Sequence, residues 1–315
     1  MYARVYVALA AVAAAFLAMS DCDFTTFIAS SIGTPSYTNK VVWITGASSG
    51  IGEYLAYEFA AANATLILSA RRGDRLKSVL ERCVKLGAGA NSAIESIDVA
   101  ANVNEMPALV ERVLQSNGFA KLDVLVLNAG ATQRSLAADL PLSKVRDLFE
   151  LNFFAVVEHA KAAIPFLAKD AQLVVTSSFT GKIGTPVSTA YSATKHALQG
   201  FFGGLRAELP DGVGVTILCP GPVRSEIANV AGVKESAENK MPTDRAAKLM
   251  LSAIWHRLYE SWISPHPPLL FLHVGQYLPG LTTFLSERGP GRSRVNAFRA
   301  GVDIYSSAAY THKKA

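Results

Sequence analysis

The stretch VVWITGASSGIG, residues 41–52, joins an apolar segment to a glycine-rich turn. Its first five residues are almost entirely apolar, which is typical of a parallel strand covered on both faces. In the turn, Gly46 permits a sharp reversal, Gly50 lets the backbone approach a phosphate, and Gly52 allows a helix to lie close to the sheet. The start of that helix would offer free N–H groups to a pyrophosphate. The stretch therefore predicts a nucleotide-binding strand–turn–helix unit.

The spacing GxxxGxG differs from the usual dinucleotide fingerprint GxGxxG, and a glycine-rich turn can also be purely structural. Its position at the first strand–helix junction favours the cofactor interpretation. The turn residues expected at a cofactor are Gly46, Ser48, Ser49, Gly50, Ile51 and Gly52.

The alternation of apolar strand and amphipathic helix continues along most of the chain. Further strands are predicted at 65–69, 92–98, 122–128, 172–178 and 214–220. Helices are predicted at 51–61, 73–86 and 104–116, in a long region ending near residue 169, and around TAYSATKHALQGFF at 189–202. This alternation implies βαβ crossovers, and no linker divides residues 40–260. We expect a single Rossmann-type α/β domain, a doubly wound parallel sheet flanked by helices, with an apolar N-terminal segment and a C-terminal extension.

The end of the second predicted strand, LSARRGDRL at 68–76, indicates which cofactor is bound. An NAD site usually places an acid there for the ribose hydroxyl, whereas NADP needs cations for the 2′-phosphate. Ala70 stands where the acid is expected, and Arg71 and Arg72 follow. These cations favour NADP(H), although a solvated basic turn would look the same. Asp98, after the third strand, would accept a hydrogen bond from the adenine amino group or cap a helix.

Tyr191 and Lys195 lie four residues apart in TAYSATKHALQGFF and share one face of the predicted helix. Taken alone, such a pair is ordinary, because i,i+4 neighbours occur on any helix. Ser178 and Asn152 are equally ordinary alone, as a capping serine and a helix-interior asparagine. Their interpretation therefore depends on the motifs around them.

Several motifs together resemble the short-chain dehydrogenase/reductase family. They are TGxxxGIG, Asp98-Val99, Asn128-Ala129-Gly130, Ser178 thirteen residues before Tyr191, Lys195, and Pro220-Gly221. The resemblance covers about residues 38–265, the expected catalytic domain. Segments such as SLAADLPL, CPGPVRSEI and FRAGVDIYSS resemble one membrane-associated branch of the family, almost to the carboxyl terminus.

The resemblance implies a catalytic site of Asn152, Ser178, Tyr191 and Lys195. Tyr191 would be the acid/base, and the ammonium of Lys195 would lower the pKa of its phenol and hold the nicotinamide ribose. Ser178 would donate to the substrate carbonyl, and Asn152 would help hold a relay water. The implied cofactor-binding residues are the turn residues above with Arg71, Arg72, Asp98, Val99, Asn128, Ala129, Gly130, Tyr191, Lys195, Pro220, Gly221, Val223 and Ser225.

Two residues depart from the usual pattern of the family. Leu127 replaces the first asparagine of NNAG, and Ser225 stands where a threonine is common, keeping a hydroxyl for the nicotinamide amide. Neither change argues for an inactive enzyme. The three cysteines and six histidines show no metal-ligand spacing, so no metal site is predicted.

The amino terminus contains fifteen consecutive apolar residues, VYVALAAVAAAFLAM at 5–19. This length suits the core of a signal peptide, and an uncleaved membrane anchor within residues 1–20 is equally compatible. Both direct the chain to a membrane system: the endoplasmic reticulum membrane, or the secretory lumen after cleavage. The net charge of +5 is not gathered into a basic stripe with aromatics, so nucleic acid is not an expected partner.

The substrate side is expected to include three parts of the chain. Residues 224–242 read as a lid over the cofactor, and Gln133 and Arg134 reach either the pocket or the surface. The apolar stretch 262–285 leads from the catalytic domain into the C-terminal extension, 266–315. Prolines interrupt this stretch and exclude one continuous membrane-spanning helix. The stretch would touch the bilayer and cover the pocket, or serve dimer or core packing.

These features predict an NADPH-dependent oxidoreductase that reduces carbonyl groups of lipophilic substrates. The resemblance implies retinoid, steroid or xenobiotic aldehydes and ketones, and a possible homo-oligomer. The alternatives are an alcohol dehydrogenase running oxidatively and a nucleotide-sensing membrane protein without turnover.

Overall fold

A computed structural model describes residues 20–227, 236–306 and 309. Within them, parallel strands form one sheet in the order β3-β2-β1-β4-β5-β6-β7. The strands are β1 Val41–Thr45, β2 Thr65–Ala70, β3 Ala93–Ser96, β4 Leu122–Leu127, β5 Leu167–Thr176, β6 Gly214–Pro220 and β7 Glu260–Ile263. The predicted doubly wound parallel sheet is therefore confirmed, with β7 as an additional strand.

Helices connect the strands and cover both faces of the sheet. They are α1 Phe24–Ser31, α2 Gly50–Ala61, α3 Gly73–Leu86, α4 Met106–Ser116, α5 Leu142–Phe149, α6 Ala155–Ala163, α7 Thr189–Leu205, α8 Thr243–Trp255, α9 Pro268–Tyr277, α10 Pro279–Arg288 and α11 Pro290–Arg299. The helical region before β5 is shorter than predicted, because it closes in a tight turn at Ile164–Phe166 that contains Pro165.

Successive strand residues enter different cores, since side chains alternate across a sheet. Val42 and Ile44 of β1 belong to a core beneath α2, α3 and α8, whereas Trp43 between them belongs to a core beneath α4, α6 and α7. Burial on both faces explains why the strands are continuously apolar rather than alternating.

The order of the strands determines where a ligand can enter. The chain builds outward from β1 to the β3 edge and then returns to place β4 on the other side of β1. The connections after β1 and β4 therefore leave in opposite directions, and a crevice opens at the carboxyl ends of these strands. The glycine-rich turn follows β1 at this position.

Residues 21–31 lie against the outer edge of the sheet. Cys22 forms an antiparallel bridge with Ile263 of β7, and Asp23 caps α1. The Oδ2 atom of Asp21 lies 2.8 Å from Nε of Arg245. This segment covers an edge strand that would otherwise be open to pairing with another chain. The signal peptide or anchor predicted within residues 1–20 lies, except for Ser20, outside the described residues.

The C-terminal extension folds as short helices. Pro268, Pro279 and Pro290 each occupy the first position of a helix, where the missing N–H costs no hydrogen bond. The expectation that prolines would break this apolar region is confirmed. No helix among the described residues has the length and apolar character needed to span a bilayer.

Candidate active site

A cleft of about 920 Å³ opens at the carboxyl ends of the strands. The predicted site residues that line it are Gly46, Ser48, Ser49, Gly50, Ile51, Arg71, Arg72, Asp98, Val99, Asn128, Ala129, Gly130, Ser178, Tyr191, Lys195, Pro220, Gly221, Val223 and Ser225. Gly52 and Asn152 are not part of the lining. Residues far apart in the sequence are thus brought to one continuous surface.

The glycine-rich turn has little room for side chains. Gly46 and Gly50 have φ angles of +68° and +59°, a region that favours glycine. A Cβ on Gly46 would lie 2.9 Å from Cα of Ala129. At Gly52 a Cβ would collide with the carbonyl oxygen of Gly46, so this glycine serves close packing behind the turn. The side chain of Ser49, the N-cap of α2, makes no capping hydrogen bond, which leaves the first N–H groups of the helix for an anion.

The segment after β4 is fastened to the end of β1. The Oγ1 atom of Thr45 accepts from the backbone N–H groups of Asn128 (2.9 Å) and Ala129 (3.1 Å). The Asn128 side chain donates to the carbonyl oxygen of Thr45 at 3.1 Å. Leu127, the departure from NNAG, is 2% exposed and lies in the core. Its substitution for asparagine therefore removes no group from the cleft.

Cations and hydroxyl groups converge at the end of β2. The Nη2 atom of Arg72 donates to Oγ of Ser49 at 2.7 Å and to Oγ of Ser48 at 3.2 Å. The same guanidinium lies 3.2 Å from the carboxylate of Glu226. Arg71 is more exposed and lies 4.0 Å from a carboxylate oxygen of Asp98. These groups match the donors that a phosphate needs, and Glu226 shows that an anion is accepted there.

Asp98 lines the cleft and also stabilises its own turn. Its Oδ1 atom accepts from the backbone N–H of Ala100 at 3.1 Å. The N-cap positions of the helical segments that follow belong to Asn102 and Glu105, so Asp98 stabilises a turn and does not cap a helix. The contact with adenine stays a prediction.

Ser178, Tyr191 and Lys195 line the middle of the cleft. Ser178 follows β5, where its Oγ accepts from the N–H of Thr180 at 3.1 Å and lies 3.4 Å from the carbonyl oxygen of Pro220. It is thus a capping residue whose hydroxyl still borders the cleft.

Burial dominates the electrostatics of Tyr191 and Lys195. The Nζ atom of Lys195 donates to the carbonyl oxygen of Thr176 at 2.7 Å and lies 5.7 Å from the centre of the Tyr191 ring. Burial lowers the pKa of Lys195 to about 8 and raises the pKa of Tyr191 to about 12. The neighbouring Ser178 hydroxyl and the charge of Arg134 act against that rise in the pKa of Tyr191. The lowered phenol pKa expected from the sequence is therefore not observed.

Asn152 is fully buried in a π-helical turn, Glu150–Phe154, between α5 and α6. Its amide exchanges hydrogen bonds of 2.9 Å with the backbone N–H and carbonyl of Ala131, and donates to Oγ1 of Thr194 at 3.1 Å. A Cβ on Gly130 would lie 3.0 Å from its Oδ1 atom. Asn152 thus joins the segment after β4 to α7, and π turns often occur at functional sites.

The far end of the cleft contains residues that the sequence analysis did not assign. They are Ser188, at the start of α7, and Arg294 and Tyr305, in the C-terminal extension. The same end is lined by Lys240 of the predicted lid, and by His266, Pro267 and Phe271 of the stretch that was expected to cover the pocket. Gln133 and Arg134 were expected to reach either the pocket or the surface. Arg134 lines the cleft, whereas Gln133 is buried behind it and accepts a hydrogen bond from the backbone N–H of Tyr191 at 3.5 Å. Of the predicted lid, Arg224–Ile227 and Ser236–Pro242 are described.

Comparison with known proteins places these features in a family. The model of the short chain dehydrogenase family matches residues 40–236. "Dehydrogenase/reductase SDR family member 7" of Homo sapiens is 38% identical over 284 residues, which are 86% of this chain and 83% of that protein. "11-beta-hydroxysteroid dehydrogenase-like 3" of Arabidopsis thaliana is 40% identical over 190 residues, 60% of each chain.

A solved structure of an alcohol dehydrogenase has a similar fold. The alcohol dehydrogenase from the archaeon Thermococcus sibiricus, complexed with 5-hydroxy-NADP, is 25% identical and has a TM-score of 0.64. The match covers 72% of this chain and 97% of that one. The chain belongs to the short-chain dehydrogenase/reductase family of oxidoreductases and resembles its member 7 branch.

Proposed function

We propose that the protein is an NADPH-dependent oxidoreductase that reduces carbonyl groups of lipophilic substrates. The observation that carries the proposal is the position of Ser178, Tyr191 and Lys195 midway along one cleft. A phosphate-binding end with Arg71 and Arg72 lies on one side of them, and a partly apolar end lies on the other.

The residues present fit a bound NADPH. Gly46 and Gly50 have no room for side chains of their own, so a phosphate can approach the backbone of the turn closely. The start of α2 has no side-chain cap, which suits a pyrophosphate. Arg71 and Arg72 would hold the 2′-phosphate, and Lys195 would hold the nicotinamide ribose. NADPH supplies the hydride when it is bound.

The protonation states of the chain suit carbonyl reduction. With a pKa of about 12, Tyr191 keeps its proton at neutral pH and can donate it to the oxygen that becomes an alkoxide. Ser178 would donate a hydrogen bond to the same oxygen and stabilise its developing charge. Lys195, with a pKa of about 8, remains mostly charged at pH 7 and would stabilise the phenolate that is left.

The choice of NADPH and of lipophilic substrates rests on further observations. Ala70 leaves β2 without the acid typical of NAD sites, and a solved relative is complexed with 5-hydroxy-NADP. The substrate end is walled by Ile183, Pro267 and Phe271. A relative named for 11-beta-hydroxysteroids supports steroid-sized carbonyl compounds. Oxidation of the corresponding alcohols is the reverse reaction of the same site.

The direct test is a panel of aldehydes and ketones offered to the purified protein with NADPH and NADH side by side. We expect NADPH oxidation that depends on the carbonyl compound and is faster than NADH oxidation at equal concentrations. Turnover only with alcohols and NAD would favour the oxidative alternative. Nucleotide binding without turnover of either class would favour a nucleotide-sensing protein and contradict the proposal.

We further propose that the protein associates with the endoplasmic reticulum membrane through residues 1–20 and its C-terminal helices. Large apolar side chains stand exposed on α9 and α10 and between them: Leu270, Tyr277, Leu278, Leu281, Phe284 and Leu285. Arg288 lies 4.1 Å from the ring centre of Phe284 and would face anionic headgroups.

Liposome flotation tests this association. A chain lacking residues 1–19 should still float with anionic vesicles, and the double substitution Leu281→Ser and Phe284→Ser should remove the remainder. Loss of a dimer in the substituted chain, without any change in flotation, would show that the patch serves self-association instead.

A further inference from the structure

The far end of the cleft concentrates positive charge around one aromatic ring. Arg134, Lys240 and Arg294 all line this end. Their charged groups lie 5.8, 4.6 and 5.0 Å from the centre of the Tyr305 ring. The negative face of an aromatic ring attracts cations, which offsets part of the repulsion between cations that lie close to the same ring. The C-terminal extension thus adds charge to a site that the catalytic domain begins.

Two of these cations meet at a single hydroxyl group. Nη1 of Arg134 lies 3.0 Å from Oγ of Ser188, and Nη2 of Arg294 lies 3.5 Å from the same atom. The other partner of Arg294 is the carbonyl oxygen of Pro186, at 3.1 Å. Within the described residues Arg294 forms no ion pair with a carboxylate. An oxyanion beside Ser188 would give Arg294 a charged partner and would also lie within reach of Arg134.

The charge is unevenly distributed along the cleft. The carboxylates of its described lining, Asp98 and Glu226, both lie at the nucleotide end beside Arg71 and Arg72. At the substrate end, Asp303 accepts from the backbone N–H groups of Tyr305 and Ser236 and is not part of the described lining. Among the described lining residues, no carboxylate therefore lies at the substrate end beside Arg294.

The position of Ser188 fixes where an anion would lie relative to the reacting carbonyl. Ser188 is the N-cap of α7 and precedes Tyr191 by three residues. That separation is about one helical turn, roughly 5 Å along the axis. The first turn of a helix also favours an anion through its dipole. An oxyanion at Ser188 would thus lie only a few bonds from a carbonyl at Tyr191.

We propose that the substrate is a carbonyl compound that carries its own oxyanion, such as a carboxylate, a few bonds from the carbonyl. Arg134 and Arg294 bind the oxyanion at Ser188, and the apolar remainder lies against Ile183 and Phe271. This inference rests on the proposed carbonyl reduction and specifies the substrate class of that site.

Matched pairs of substrates test the proposal. We would compare 3-formylbenzoate and 3-acetylbenzoate with their methyl esters, measuring kcat/KM with saturating NADPH. The unmodified protein should prefer each acid over its ester by about tenfold or more, as expected for a charge-assisted hydrogen bond. The preference should shrink as ionic strength rises, because the cleft is open to solvent.

The variant Arg294→Met should lower the acid-to-ester ratio of kcat/KM by about tenfold, and Arg294→Lys should restore part of it. Arg292→Met is the matched control, because Arg292 is exposed on the same helix, outside the described lining of the cleft, and should leave the ratio unchanged. An unmodified protein that turns over the esters and does not prefer the acids would overturn the inference while leaving carbonyl reduction intact.

A binding measurement separates the two proposals if no carbonyl compound is turned over. Titration calorimetry of the NADPH-loaded protein would compare 3-(hydroxymethyl)benzoate with its methyl ester. Tighter binding of the acid, lost in Arg294→Met, would support the oxyanion site although the proposed reaction had failed. Equal affinity for acid and ester would overturn the oxyanion site as well.

Discussion

Lys195→Met should make the protein more stable while removing its activity. Lys195 is 4% exposed, and its ammonium donates a hydrogen bond to the neutral carbonyl oxygen of Thr176, at 2.7 Å. Burial lowers the pKa of Lys195 from 10.5 to about 8. A charged lysine at this position therefore costs the fold about 3 kcal/mol at neutral pH, at 1.36 kcal/mol per pH unit. Methionine fills similar volume without a charge.

The net gain is smaller than the burial cost, because the Thr176 carbonyl loses its donor. A lost hydrogen bond of this kind costs about 1–2 kcal/mol, so the expected stabilisation is about 1–2 kcal/mol. In a protein of 315 residues that corresponds to a melting temperature higher by about 1.5–3 °C. Differential scanning fluorimetry without NADPH measures it directly, since Lys195 then has no ligand to bind.

The pH dependence of the difference identifies its cause. Below pH 8 Lys195 is charged in both the folded and the unfolded protein, and the folded protein bears the whole cost. Between pH 8 and 10.5 the unfolded protein binds more protons, so the stability of the unmodified protein rises with pH. The advantage of the variant should therefore shrink across this window. A variant that melts lower at pH 7, or a difference that does not change with pH, would refute the reasoning.

Three of the remaining predictions concern the phosphate end of the nucleotide site, and the fourth concerns a glycine near the end of α7. Arg72→Gln should raise the KM for NADPH about tenfold or more and change that for NADH little, as steady-state kinetics with both cofactors would show; equal effects would contradict a 2′-phosphate contact. Glu226→Gln should lower the KM for NADPH in the same assay, because the Glu226 carboxylate lies 3.2 Å from Arg72 and competes with the phosphate. Gly52→Ala should lower the melting temperature and weaken NADPH binding, since its Cβ would lie 2.6 Å from Nδ2 of Asn128. Gly204→Ala, at a helix position with open space, should be neutral or stabilising by about 1 kcal/mol.

The sheet and the glycine-rich turn were predictable because their signals are local. Strands β1 and β6 have the bounds that their apolar runs indicated, and α3 extends over the predicted 73–86. The turn at 46–52 is recognisable in the sequence because its positive φ angles and close contacts require glycine. The family resemblance added the spacing of Ser178, Tyr191 and Lys195, which no periodicity reveals.

The missed features depend on contacts between distant parts of the chain. Strand β7 has only four residues with alternating burial, which is too short for a pattern to stand out. Its partner segment around Cys22 is held by residues more than 200 positions away, and nothing local predicts that contact. The cluster at Ser188 likewise joins Arg134 to Arg294 and Tyr305.

The electrostatics of the catalytic pair were also not predictable from the sequence. The spacing of Tyr191 and Lys195 suggested an ammonium that lowers the pKa of the phenol. The structure shows Lys195 buried and Tyr191 partly buried in the wall of the cleft, and burial shifts both pKa values toward the neutral forms. The extent of burial depends on how α7 packs beside the end of β5, where Lys195 contacts Thr176, and a helical pattern does not reveal it.

The rate of a single turnover in Tyr191→Phe shows whether Tyr191 donates the proton to the substrate. NADPH oxidation would be followed with enzyme in excess over a carbonyl compound that the unmodified protein reduces, and NADPH affinity would be measured by its fluorescence. We expect a rate lower by about 100-fold or more than in the unmodified protein, because a general acid has been removed. NADPH affinity should change little, because phenylalanine keeps the ring. An unchanged rate in Tyr191→Phe would contradict the claim that Tyr191 donates the proton.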